Sequence, residues 1–432
     1  MTNVGSSFCR LWLCLLRNTL QKGKRMRDNE LMTMALGLAT PWFVDKCEFV
    51  PDSRGLDIYI NFAQGATFPC PTCGGLDCHV YDTQMREWRH LDFFQHFCHL
   101  HARTPRIKCD QCGVKTVHVP WARPGSGFTL LLEAFIMTMA PNMAVNDICE
   151  MIGVWDTRLW RIIEHWVEDA LVEQDLSQVK RIGIDETASK RGHNYITVVV
   201  DQDTRAAIFV DEGKDHTTIE RFVEHLESHG GQAANIKEVT CDMSKSYMRG
   251  VKENFPNAEI TFDKFHAVKI VNEAVDKVRR QEQMERPELK GTRYVWIKNQ
   301  ENLSEKQMSV LEKFRVSNAN LKTARAMNIR IGFQELFDQD PESAATYLDQ
   351  WLSWASRSRL APMVKAAQTI RSHMMGILRW FKSGITNAIL EGFNSMIQMA
   401  KSRARGYRSI KNLKTMVYLV AGKLDLNSLY PQ

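Results

Sequence analysis

Two copies of one short motif constrain this chain more than anything else in it. Cys70-Pro71-Thr72-Cys73-Gly74 and Cys109-Asp110-Gln111-Cys112-Gly113 both read Cys-x2-Cys-Gly, with 35 residues between Cys73 and Cys109. In each, the glycine lets the backbone turn so that amide groups face thiolate sulfur, and two such knuckles supply four ligands to a tetrahedral zinc ion. Cys70, Cys73, Cys109 and Cys112 are therefore the expected ligands of one structural Zn2+. Trp88 to Ile107, between the knuckles, alternates like a hairpin, and the metal is expected to stabilise a module with little core of its own. His90, His96, His99 and His101 follow a near-alternate spacing that places them along a strand rather than around a metal. Cys78 and His79 are the alternative source of one ligand. Eleven cysteines in 432 residues, two pairs of them at metal spacing, favour a reducing cytoplasm over a disulfide framework.

Hydrophobic residues make up 44% and charged residues 25%, the proportions of a globular protein with several cores. Residues 8–20 have the apolar look of a signal-peptide core, but Arg10 and Arg17 interrupt them and no small-x-small site follows. They are too short to span a bilayer, so no membrane partner is expected, and residues 1–29 read as a disordered or mis-annotated extension. The net charge is only +6, yet Lys401, Arg403, Arg405, Arg408, Lys411 and Lys414 form a local run of six bases without an acid. Such a run suits a polyanion.

The zinc-binding module is expected over 30–122. After the Pro/Gly break at Pro120–Gly127, helical patterning runs from Thr129 to about Val172, within a helix-turn-helix region at 128–176. In Val145–Ile163, Gly153 takes the turn and Ile148, Ile152, Val154, Leu159 and Ile162 form a small core. Arg158 and Arg161 on its second helix are candidate DNA contacts. Strands are then expected at Val179–Ile184, Tyr195–Val200, Ala206–Val210, Ile236–Cys241 and Glu259–Phe262, with helices at Thr217–His229 and Lys245–Asn254. Three strands, then helix, strand, helix, strand is the order of the ribonuclease H fold. The first part of this core occupies 179–282. An all-helical insertion follows at 283–384, and the core resumes over 385–432 with one further helix and the basic C-terminal region. The fold class is thus multidomain α+β: a zinc-ribbon-like module, a helix-turn-helix, and a ribonuclease H-like α/β core with a helical insertion.

Three carboxylates carry the chemistry. Asp185 is expected to end the first strand, Asp242 the fourth, and Glu391 to sit on the returning helix. On that helix Asn387, Glu391, Asn394 or Ser395, Gln398, Ser402 and Arg405 line a polar stripe opposite Ile385, Ile389, Phe393, Met396 or Ile397, and Ala400. Like charges gathered at a sheet edge are unfavourable without cations, which favours two Mg2+ (or Mn2+) ions acting on a phosphodiester. Asp263, His266, Asn387 and Asn394 are auxiliary candidates. His266 either orients a phosphate or caps the next helix. Glu186 points to the opposite side and reads as a salt-bridge partner. Lys401, Arg403, Arg405 and Arg408 are candidate contacts to DNA phosphates.

Gly183-Ile184-Asp185-Glu186, Cys241-Asp242-Met243-Ser244, Asp263-Lys264-Phe265-His266, Asn387 with Leu390-Glu391-Gly392-Phe393-Asn394, and Arg405-Gly406-Tyr407-Arg408 closely resemble the DDE transposases of the ISL-three group of bacterial insertion sequences. The two knuckles and Glu301-Asn302-Leu303-Ser304 resemble that group too, over nearly all of the chain from about Glu30. The resemblance implies Asp185, Asp242 and Glu391 as the metal-binding triad. It also implies DNA cleavage and strand transfer at terminal inverted repeats, with element ends and target DNA as partners and a bacterial cytoplasmic, nucleoid-associated location. Pairing two ends calls for a homodimer or higher. The competing readings are a non-catalytic zinc and helix-turn-helix regulator derived from a transposase, and a nuclease or resolvase that cuts without joining.

Overall fold

The computed structural model describes residues 27–190, 194–317, 321–383 and 388–429. Residues 1–26 of the expected extension, and Asn387, lie outside the described residues. The chain divides into two units, Met1–Thr138 with Asn427–Gln432, and Met139–Leu426.

Among its described residues the first unit contains helix α1 (Asp28–Ala35), strands β1 (Trp42–Val50), β2 (Gly55–Phe62), β3 (Thr67–Phe68), β4 (Cys78–Arg89), β5 (Phe97–Cys109) and β6 (Gly113–Thr116), and most of helix α2 (Leu130–Met139). The sheet order is β1-β2-β5-β4-β3, with β6 also on β5. A hairpin is present but begins ten residues before the expected Trp88–Ile107: β4, which lies almost wholly before Trp88, pairs antiparallel with β5 from Val80↔Ile107 to Arg89↔His99. Alternation along β5 buries Cys98, Leu100 and Ala102 on one face. Trp42, Trp88 and Trp121 pack edge to face with ring centroids 5.0 and 5.6 Å apart. This unit therefore has an aromatic core of its own, larger than expected for a metal-dependent module, because β1 and β2 extend the hairpin into a broad sheet. Of the four histidines only His99 and His101 lie on a strand. His101 binds Asp57 at 3.0 Å and His90 binds Thr129 at 2.9 Å, so both are engaged with protein partners.

In the second unit, helices α3 (Val145–Ile152) and α4 (Asp156–Val172) are joined through Gly153, whose φ of 73° is the left-handed turn the spacing implied. Ile148, Ile152, Leu159 and Ile162 are buried, while Val154 is half-buried. Strands β7 (Arg181–Ala188), β8 (Tyr195–Asp201) and β9 (Ala206–Glu212) form an antiparallel meander. Helix α5 (His216–Ser228), strand β10 (Glu238–Cys241), helix α6 (Lys245–Asn254), strand β11 (Glu259–Phe262) and helix α7 (Lys264–Glu282) follow. The sheet order is β11-β10-β7-β8-β9, with β10 parallel to both β7 and β11. The first strand runs four residues past the expected end, because pairing with β8 continues through Asp185↔Val198 to Ala188↔Tyr195. Asp185 is consequently inside β7, though beyond the point where β10 pairs with it.

Helices α8 (Arg293–Ile297), α9 (Glu305–Ser317), α10 (Lys322–Glu335), α11 (Ala344–Ser356), α12 (Ala361–Ser372) and α13 (Met374–Ser383) come next. Their apolar residues do not form a separate core: Phe333, Trp351 and Ile370 belong to one buried cluster with Val271 and Val275 of α7 and Val239 and Phe262 of the sheet. Buried Glu282, at the end of α7, accepts hydrogen bonds from the amides of Lys322 (2.8 Å) and Thr323 (2.7 Å), which caps the otherwise unsatisfied N-terminus of α10. Helices α14 (Ala388–Arg403) and α15 (Ile410–Ala421) complete the unit, and the Val210 amide donates to the Tyr418 hydroxyl to tie α15 to β9. Among the described residues no helix is long and apolar enough to cross a membrane.

Candidate active site and metal centre

Cys70 and Cys73 flank the turn after β3, and Cys109 and Cys112 flank the turn between β5 and β6. Gly74 and Gly113 adopt φ of 73° and 72°, which an L side chain would strain. These turns bring the four sulfurs within 4.8 Å of one another, with Cys73 and Cys109 3.6 Å apart. Backbone N–H groups of Cys73 and Thr72 pull the Cys70 thiol down to about 6, and those of Cys112 and Gln111 pull Cys109 down as well. The first cysteine of each knuckle is thus prepared as a thiolate, the form that binds metal. Cys112, hydrogen-bonded to Cys73, is pushed up to about 12. Cys78 stands nearby, but the four-sulfur group does not include it. The donor set and its closeness fit a structural zinc ion.

The second cluster is built by strand register. Thr240 of β10 pairs with Gly183 of β7, and Cys241 pairs with Phe262 of β11. Asp242 and Asp263 directly follow the ends of β10 and β11, and Asp185 lies on β7 two residues past its last pair with β10, so the three acids sit at the same edge of three adjacent parallel strands. Burial raises the Asp185 carboxyl, opposed by hydrogen bonds from the Glu186 amide and from Asn394, and the Asp242 charge raises it further. Asp242 accepts from the Ser244 amide at 2.8 Å. Asp263 is 5% exposed; it accepts from the Phe265 amide at 3.0 Å, capping α7, and from His266 Nδ1 at 2.9 Å. It is the aspartate, then, that caps the helix, and the histidine is anchored on the cap. That bond raises the His266 pKa against the effect of burial, and the charges of Asp263, Asp185 and Asp242 add to it. Glu186 makes no ion pair among the described residues. Its carboxyl, raised by burial and by Asp242, stands beside the Tyr247 hydroxyl instead.

Helix α14 lies along β7. Leu390 presses on Gly183, where a Cβ would come within 3.0 Å of it. Asn394 Nδ2 donates to Asp185 Oδ2 at 2.6 Å, Gln398 Nε2 to Thr187 Oγ1 at 2.8 Å, and Lys401 to the Ala188 carbonyl. The buried stripe is Leu390, Phe393, Ile397 and Ala400. This differs from the expected stripe at Ile389, which is only half-buried; of Met396 and Ile397 it is Ile397 that is buried, and Ile385 lies outside the described residues. The fit of Leu390 to a side-chain-free Gly183 fixes that rotation, a non-local cause that helical spacing alone does not contain. Glu391 is exposed and shares a face with Asn394, three residues on. Among the described residues, only the four cysteines gather three or more metal-ligating groups within 4.8 Å; Asp185, Asp242 and Glu391 do not come that close.

The basic run is not a uniform charged strip. Lys401 and Arg403 donate to the Ala188 and Pro141 carbonyls, Lys411 pairs with Glu164 and Glu168, and Lys414 pairs with Asp211. Arg405, in the left-handed conformation just past α14, is exposed. Arg408 is 91% exposed, 3.7 Å from Asp156, and Arg158 and Arg161 are exposed on α4. Helical spacing put Asn394 and Gln398 on one stripe, but not their pairing with Asp185 and Thr187 of β7, nor the contact of Lys401 with Ala188.

A four-cysteine knuckle module beside a helix-turn-helix is the equipment of a DNA-binding protein. The chain belongs to the transposase family ISL3: the family's transposase profile matches residues 182–417, its helix-turn-helix domain matches 117–167, and the zinc-finger of transposase IS204/IS1001/IS1096/IS1165 matches 66–112. It is similar, at 28% identity over 429 residues, to the transposase for insertion sequence element IS1557 of Mycobacterium tuberculosis, covering 91% of this chain and 96% of that protein. At 29% over 394 residues it is similar to the transposase for insertion sequence element IS1001 of Bordetella parapertussis, covering 89% and 96%. Its function is that of a transposase.

Proposed function

We propose that the chain cuts DNA at the terminal inverted repeats of an insertion sequence and joins the freed 3′ hydroxyls to target DNA, using Asp185, Asp242 and Glu391. We read the unit as ribonuclease H-like, its core over 179–282 and 385–432, interrupted by helices at 283–384 and preceded by a zinc module (30–122) and helix-turn-helix (128–176). The observation that carries this reading is the acidic row, with Asn394 bound to Asp185 three residues from Glu391. Among the described residues no lysine or arginine forms an ion pair with these three carboxylates, so their charge calls for a cation. The three would hold two Mg2+ (or Mn2+) ions, whose Lewis acidity offsets the charge that develops on a phosphodiester under attack.

The chain's own groups prepare the site. Asn394 orients Asp185. Asp263 fixes His266 through Nδ1, leaving Nε2 for a phosphate oxygen. Asn387 is retained as an auxiliary candidate from the sequence. Arg405, Arg408, Arg158 and Arg161 contact DNA phosphates, and Lys401 and Arg403 hold the C-terminal end of α14 in place for them. Two copies of the chain or more act on a pair of ends, in the bacterial cytoplasm. The test is incubation of purified protein and Mg2+ or Mn2+ with labelled end DNA, followed by sequencing of the products. Wild type nicks and joins; Asp242→Ala and Glu391→Gln bind the DNA and leave it intact, at least about a thousandfold slower. Undiminished cutting by Glu391→Gln would sink the assignment.

A further inference from the structure

The helices after α7 contain a cleft that none of this chemistry uses. It lies between α10 and α11 and has a volume of about 440 Å³, within the range of roughly 300–1,000 Å³ typical of ligand clefts. Arg325, Asn328 and Ile329 share one face of α10, and Gln350 and Trp354 share one face of α11, with Arg357 and Ser358 at its end.

The two tryptophans of α11 have separate roles. Trp351 is 2% exposed and its indole N–H donates to the Ile329 carbonyl at 2.8 Å, so it belongs to the core. Trp354 is 47% exposed. Its ring is nevertheless seated, because it lies against Gly332, where a Cβ would approach Cζ3 to 2.9 Å. Arg325 is anchored on the Ser358 carbonyl, and Arg357 on the carbonyl and hydroxyl of Ser353. Neither forms an ion pair among the described residues, and no carboxylate lines the cleft. Two fixed guanidiniums, two carboxamides and one open aromatic face therefore converge with their positive charge uncompensated.

We propose that this cleft binds an unpaired nucleotide of the DNA, the base stacked on Trp354, its edge met by Asn328 and Gln350, and the flanking phosphates held by Arg325 and Arg357. Every base has a π-face for an indole, carboxamides offer donor and acceptor to a base edge, and guanidiniums match phosphate oxygens two at a time. An apolar protein segment would leave both guanidiniums unused. An acidic peptide would leave the indole and carboxamides without complementary groups. The proposal rests on the transposase reading for the presence of unpaired bases, since breaking and moving strands exposes nucleotides outside the duplex stack.

The test uses full-length protein without divalent metal and a fluorescein-labelled oligothymidine, read by anisotropy, beside a duplex of the element end. Trp354→Ala should weaken oligothymidine binding roughly five- to a hundredfold. Trp354→Phe should retain most of the affinity, and the Arg325→Ala/Arg357→Ala double variant should lose affinity and salt dependence together. Duplex binding should change less than about twofold, because it runs through the helix-turn-helix. If Trp354→Ala does not fold, the double arginine variant decides. Oligothymidine binding equal to wild type in a folded variant overturns the proposal, as does equal displacement of the oligonucleotide by polyglutamate. Wild-type cutting with no Trp354 effect defeats the cleft alone. Trp354-dependent binding by a protein that never cuts end DNA leaves the cleft standing and defeats the catalytic reading.

Discussion

The four sulfurs of the cysteine cluster lie within 4.8 Å of one another, whereas the carboxylates of Asp185, Asp242 and Glu391 do not approach that closely. Each pair of cysteines comes from one tight turn whose own amides stabilise the thiolate, so geometry and charge are settled locally. The carboxylates come from a strand, a strand end and a helix; no lysine or arginine among the described residues pairs with them, and the nearby His266 is held by Asp263. The difference teaches that a metal site can be written in two ways: as a motif within a few residues, or as a register that exists only when distant segments pair.

The largest effect that could break this comparison lies in the knuckles. Cys70→Ser with Cys109→Ser should reduce bound zinc to background and forfeit a binding free energy that reaches about 10 kcal/mol or more in zinc-finger peptides. Because the core that includes Cys70 and Cys109 also takes in Trp42, Trp88 and Trp121 and buried residues of β1, β2 and β5, exchange protection should fall most around β3 and β6 and persist in β2, β4 and β5. Zinc content and hydrogen exchange read the two parts separately. Global unfolding of the unit would show that the core depends on the metal after all.

The carboxylate row predicts a smaller loss. Asn394→Ala removes the hydrogen bond that orients Asp185 without removing a carboxylate, and should slow cleavage about 10- to 100-fold with DNA affinity unchanged. Single-turnover cleavage at saturating Mg2+ measures it. An unaffected rate would mean that α14 is aligned by Leu390, Gln398 and Lys401 alone.

What could be read from the sequence follows the same division. The knuckles, the Gly153 turn, helix α6 and strand β11 are where local patterning put them, since each is fixed by its own residues. The aspartates were visible as an acid following a short apolar run, at Ile184-Asp185, Cys241-Asp242 and Phe262-Asp263. That Asp185 and Asp242 meet at a sheet edge was expected from the strand order; the place of Asp263 beside them was not, because it depends on β10 pairing with strands on both sides. The parallel pairing of β2 with β5 was hidden for the same reason. The pairing within the basic run was hidden too: Lys411 and Lys414 meet acids more than two hundred residues earlier in the chain, which composition cannot show.

Acid should separate the two regions. In the knuckles, protonation of thiolates releases metal. In the second unit the sensitive group is His225, pulled down to about 4 by burial and by His229, with Nε2 buried and without a partner. Its unfolded value is about 6.5, so the fold favours the neutral ring. That contribution is complete above about pH 6.5 and is lost as pH falls toward 4, at up to about 1.4 kcal/mol per unit. Denaturant unfolding at pH 7 and pH 5 should show the loss in wild type and a shallower one in His225→Leu. Equal slopes would assign the acid sensitivity to other groups.

The smallest effect tests the basic run itself. Lys414 is occupied by Asp211 and lies beside the Asp211–Arg221 pair, whereas Arg405 is exposed just past the end of α14. Only a base with charge to spare can displace counterions from DNA. Arg405→Ala should therefore lower the slope of log affinity against log salt by roughly 0.9, the value for one phosphate contact. Lys414→Ala should leave that slope as it is, and lose only the modest stability of a partly exposed ion pair, up to about 1 kcal/mol. End-DNA titrations across several salt concentrations distinguish the two. If both variants shift the slope equally, the ion pairs of the run exchange their acids for phosphates on binding, and the whole stretch from Lys401 to Lys414 acts on DNA as one surface.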